Sequence, residues 1–98
     1  MNATILLLVA LAILLAIDWL QTLTIARNPG RWRELNPLLG EHPSVARVNA
    51  WFAFVALLAA AFCWRMWDLP QVIACAAAAL AVAEGACVVN NFRKGIRP

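Results

Sequence analysis

Residues 3–26 read ATILLLVALAILLAIDWLQTLTIA, and this run decides the fold. At about 1.5 Å per residue it is long enough, as a helix, to cross a bilayer core of roughly 30 Å. Its only charge is Asp18. A carboxylate at that depth is costly in lipid, so it must be neutral, paired, or turned toward protein or water. Asp18, Gln21, Thr22 and Ile25 recur at i, i+3, i+4 and i+7, so the three polar groups share one helical face. No basic residue precedes the apolar part, and the run is too long for a signal-peptide core. Asp18 interrupts it near its end, so it reads as a retained span and not a cleaved leader.

Two more apolar runs follow, at about 45–67 and 70–91, each long enough to span. Open sheet edges cannot sit in lipid, so the expected fold is all-α. It is a single three-helix transmembrane domain over residues 1–98, with a loop at 27–44 and a basic tail at 92–98. Hydrophobic residues make up 64% of the chain and mean hydropathy is +0.77, more than a soluble domain of this size could bury. Eight basic against five acidic residues give a net charge of +3. In so apolar a chain that excess reads as membrane orientation and headgroup contact, and no basic surface interleaved with aromatics points to nucleic acid.

Asn28-Pro29-Gly30 closes the first span with turn chemistry. Arg31 to Leu35 could then form a turn of interfacial helix, with Trp32 at headgroup level. Ser44 is expected to cap the second span and Asp68 or Leu69 the third, with Pro70 in the first turn, where its missing N–H does no harm. Trp67-Asp68-Leu69-Pro70 leaves almost no linker, so the second and third spans are expected to form a tight antiparallel hairpin. Arg27, Arg31, Arg33 and Arg47 flank the first loop, and Arg93, Lys94 and Arg97 the tail, against Arg65 on the other side. This bias predicts a multi-pass protein of the bacterial inner membrane, with its N-terminus outside and its loop and C-terminus cytoplasmic. Trp19, Trp32, Trp51, Trp64 and Trp67 fall near span ends, as an aromatic belt does.

The third span holds a second intramembrane acid, Glu84. Counted from the loop-side ends at about 1.5 Å per residue, Asp18 and Glu84 both lie roughly 10–12 Å deep. Gln21, Thr22, Asn49, Asn90 and Asn91 are expected to ring the mouth above them. Small residues recur at Asn49, Ala53, Ala56, Ala60 and Cys63, and again at Ala74, Ala78, Ala81 and Gly85, which predicts close helix packing along both stripes. Cys63, Cys75 and Cys87 are odd in number, lack a CxxC and read as packing residues. His42 is the only histidine, and with Glu34 and Glu41 it matches no metal-ligand spacing. There is no GxSxG, phosphate-binding loop or HExxH, so no enzyme, metal or cofactor is expected. For Asp18 and Glu84 three readings stay open. They could be hydrogen-bonded glue between helices with one or both protonated, the lining of a water-filled lumen in an oligomer, or a proton or cation site of a small transporter subunit.

Asp18-Trp19-Leu20-Gln21-Thr22, followed by Glu34-Leu35-Asn36-Pro37-Leu38-Leu39-Gly40-Glu41-His42-Pro43-Ser44, resembles small membrane proteins of tailed phages and prophages over the first half of the chain. In architecture, with three spans and a short basic tail, the chain is similar to class I phage holins. That resemblance implies a homo-oligomer that permeabilises the inner membrane during lysis and releases or activates an endolysin. Holins share no defining motif, so it carries over no site residues. The alternative focus is the long loop, where Arg31, Trp32, Arg33, Glu34, Asn36 and His42 would bind a protein partner in a non-lytic membrane subunit.

Overall fold

The computed structural model describes residues 2–34 and 38–98. Three helices and, among the described residues, no strand make up the chain: α1 (Ala3–Arg27), α2 (Val45–Arg65) and α3 (Pro70–Arg93). Each is long and apolar enough to cross a membrane. Their ends follow local chemistry. The Asn2 side chain accepts a hydrogen bond from the Ile5 N–H at 2.9 Å, and Ser44 Oγ accepts one from the Arg47 N–H at 3.1 Å, so both act as N-caps. Leu69 precedes α3 without a side-chain cap, and Pro70 occupies the first turn.

The end of α3 departs from the expectation of a plain basic tail. Gly95 adopts φ 85°; its N–H donates to Phe92 O at 3.0 Å, and the Ile96 N–H donates to Asn91 O at 2.9 Å. These are the paired bonds of a Schellman motif, which reverses the chain after the helix. The reversal returns Ile96 to the protein, where it is 1% exposed. Thr24 Oγ1 on α1 then donates to Arg97 O at 2.8 Å.

Helix α1 is the hub. It runs parallel to α3 in steady register: Thr4 Oγ1 donates to Pro70 O, Gln21 Nε2 to Val88 O, and Asn91 Nδ2 to Gln21 Oε1, at sequence separations of 66, 67 and 70. Against α2 it builds an apolar cluster of Leu23, Val48 and Phe52, with Leu15, Trp19, Ala26 and Trp51 packed around it. Trp19 stacks on Phe52 with ring centroids 5.6 Å apart and planes 12° off parallel.

The link between α2 and α3 is as short as expected, yet the two helices share little contact beyond it. The two small-residue stripes explain this. On α3, Ala74, Ala78, Ala81 and Gly85 are partly covered, and an added Cβ at Gly85 would lie 3.9 Å from Leu14 Cδ1, so that stripe receives α1. On α2, Asn49, Ala53, Ala56 and Ala60 of the expected stripe are exposed instead, and Cys63 alone is partly covered. Val48 and Phe52 turn inward because larger side chains gain more dispersion contact against α1 than alanines do.

The loop also differs from its expected form. The N–H groups of Arg31 and Trp32 both donate to Asn28 O, at 3.0 and 3.1 Å, which makes a turn. The Glu34 N–H then donates to Glu41 O at 2.7 Å, so the chain doubles back and Trp32 to Glu34 is not an interfacial helix. Leu39, 3% exposed, tucks inward. Arg47 Nη2 holds Leu38 O at 2.9 Å.

Candidate functional site: a polar vestibule between the helices

The register of α1 against α3 places Asp18 opposite Glu84, at the separation of 66 residues that joins Thr4 to Pro70. Glu84 Oε2 is shut off from solvent and receives no hydrogen bond among the described residues. It belongs to a carboxyl that lines the same cavity as Asp18. On the α1 side, Thr22 Oγ1 donates to Asp18 O at 2.7 Å and sits 3.4 Å from Asp18 Oδ1.

The pair lies on the wall of a vestibule of about 500 Å³. Thr22 lines it from α1, Cys87, Asn90 and Asn91 from α3, and Lys94 from the cap after α3. The loop adds Arg33, Glu34 and Leu39, while α2 supplies Trp51, Phe52 and Val55. Asn90, Lys94 and Arg33 are exposed, so the vestibule opens at the loop end of the bundle. A second cleft of about 480 Å³ lies on the other side of Glu84, walled by apolar side chains such as Leu11, Leu58, Phe62 and Ala77.

Of the residues singled out from sequence, Asp18, Thr22, Glu84 and Asn91 meet in the vestibule. Gln21 does not line it. Gln21 is 0% exposed and sits behind the vestibule as a joint, its Nε2 reaching Val88 O and Ile96 O at 3.4 Å and its Oε1 accepting from Asn91 Nδ2 at 3.2 Å. Asn49 does not join the ring either: Trp19 Nε1 donates to its Oδ1 at 2.9 Å on the exposed side of α2. That bond ties Trp19 to α2, whereas Trp64 and Trp67 face outward, at 87% and 70% exposure.

The loop residues divide. Arg33 and Glu34 turn to the vestibule, so these two belong to the same site as the acids. Arg33 Nη1 also pairs with Glu41 Oε1 at 3.7 Å in an exposed, weak ion pair. Arg31 lies over the Trp32 ring at 4.5 Å, and His42 is exposed. Asn36 lies outside the described residues. Among those described, no three His, Cys, Asp or Glu side chains group as a metal site. The cysteines are free.

Comparison with protein-family models, curated proteins and solved structures finds no match for this chain. What the arrangement can do therefore rests on its chemistry. It is a pair of carboxyls, sheltered between helices, facing a polar chamber that opens at one end of the bundle.

Proposed function

We propose that this chain is a small multi-pass membrane protein that takes up a cation, specifically a proton, at the Asp18–Glu84 pair from the loop side. The observation that carries this reading is the placement of both carboxyls on the wall of one vestibule. Ionisable groups inside a membrane are expensive and mark ion pathways or proton relays when they face a cavity and not lipid. Thr22, Asn90 and Asn91 offer hydroxyl and amide groups along the route to the pair. The excess of Arg and Lys at the loop and tail supports placing that end in the cytoplasm of a bacterial cell, with the protein in the inner membrane.

The test is reconstitution into liposomes that contain a pH-sensitive dye, with a potassium diffusion potential imposed across the bilayer. The wild type acidifies or alkalises the lumen according to the sign of the potential, and Asp18→Asn and Glu84→Gln each abolish the response. Equal dye signals from wild type and both variants would end this reading.

A second reading, the holin-like one, draws support from a different observation. The Asn49–Ala53–Ala56–Ala60 stripe lies exposed on α2, and small residues at this spacing let a second helix approach closely in lipid. The acids, however, are sheltered within one copy, so they supply no drive to self-associate. Induced expression in a bacterium distinguishes the two. Abrupt depolarisation, with lysis when an endolysin is supplied, favours the holin reading, and steady growth counts against it.

A further inference from the structure

Among the described residues, Glu84 is the only ionisable side chain that lines both the vestibule and the apolar cleft beyond it. Three other residues line both cavities: Leu15 of α1, Val55 of α2 and Leu80 of α3, one from each helix. The cavities therefore meet at a septum of three apolar side chains with one carboxyl set into it. On the vestibule side the pair is faced by Cys87 of α3, by Lys94 at the cap after it, by Arg33 and Glu34 of the loop, and by no ionisable group of α2. On the cleft side the lining is apolar apart from Cys63 and Glu84 itself. An apolar constriction between two chambers blocks ions by excluding water and opens when it wets.

We propose that Glu84 is a relay with access to both faces of the membrane, and that Leu15, Val55 and Leu80 form the hydrophobic gate which closes its second face. The inference rests on proton uptake at the acid pair and adds the exit. A proton passes from vestibule water to the Asp18–Glu84 pair. It leaves from Glu84 to water that enters the cleft when the septum parts, and the pair returns to its starting charge. The splay of α2 from α3 provides the room for that movement, since little contact holds those two helices together.

The experiment uses the whole protein in dye-loaded liposomes, with Leu80→Ser as the gate variant. Leu80 is 52% exposed, so the substitution removes little packing, and Val55→Thr, nearly equal in shape, serves as a second variant. Helix content by circular dichroism checks folding. Leu80→Ser and Val55→Thr are expected to raise steady proton flux several-fold over wild type, and Leu80→Ser combined with Glu84→Gln to fall back to the Glu84→Gln level. A rise that survives Glu84→Gln would overturn the relay, because the leak would then bypass the acid. No rise in either folded gate variant would overturn the gate. A wild type that moves protons while the gate variants match it leaves the uptake reading intact and removes only this one. A wild type that moves none, gate variants included, removes both.

Discussion

Replacing Gln21 with Leu tests the joint that holds α1, α3 and the tail together. Gln21 is 0% exposed and takes part in three hydrogen bonds of 3.2 to 3.4 Å, to Val88 O, Ile96 O and Asn91 Nδ2. Interhelical polar bonds in membranes average about 0.6 kcal/mol each, so losing three amounts to about 2 kcal/mol. The bonds are long, which lowers the figure, and Leu fills similar volume without adding a polar group. An expected loss of about 1–2 kcal/mol follows, divided between the α3 wall and the tail. Denaturant titration in mixed micelles, followed by Trp fluorescence, measures it. A double-mutant cycle with Asn91→Ala isolates the side-chain pair and should return about 0.6 kcal/mol of coupling. The reasoning is wrong if Gln21→Leu is neutral or stabilising, or if the cycle shows no coupling, because the hydrogen bonds would then add nothing to simple packing.

Other outcomes follow from single contacts. Gly95→Ala places a Cβ on a residue at φ 85° and should cost about 1–2 kcal/mol. It should also free the tail to protease, whereas Gly85→Ala, meeting only Leu14 Cδ1 at 3.9 Å, should be close to neutral. Trp19→Phe keeps the stack on Phe52 and loses the bond to Asn49, an expected change of about 0.6 kcal/mol in the same titration. The native cysteines report access: a membrane-impermeant maleimide added at the loop side should label Cys87, which lines the vestibule, ahead of Cys63, which lines the cleft. Glu41→Gln, which breaks the exposed 3.7 Å pair with Arg33, should shift stability by less than about 0.5 kcal/mol.

The three spans and the matched depth of the two acids were legible in the sequence because both depend on local counts. Apolar length sets a span, and a parallel register of 66 residues follows once Thr4 and Pro70 start their helices at the same side. Ser44 was legible for the same reason, since a cap is read within four residues. What failed depended on which helix meets which. Small residues at Asn49, Ala53 and Ala56 carry the same packing signal as those on α3, and only competition with Val48 and Phe52 for the α1 surface turned them outward. Arg33 and Glu34 reach the vestibule because the loop doubles back through the bond from the Glu34 N–H to Glu41 O, a pairing that spacing alone does not reveal. The docked tail did leave a signal. Lys94-Gly95-Ile96, a glycine after the last helical turn followed by an apolar residue, is the sequence form of the cap observed there.

The measurement that bears most directly on the acid pair is infrared difference spectroscopy of the reconstituted protein after a pH jump on the loop side. A carboxyl C=O band should appear, shift on exchange into heavy water, and vanish in both Asp18→Asn and Glu84→Gln, because one proton is held between two residues. A band that survives either substitution unchanged, or no carboxyl band at all, would contradict a shared proton at the vestibule wall.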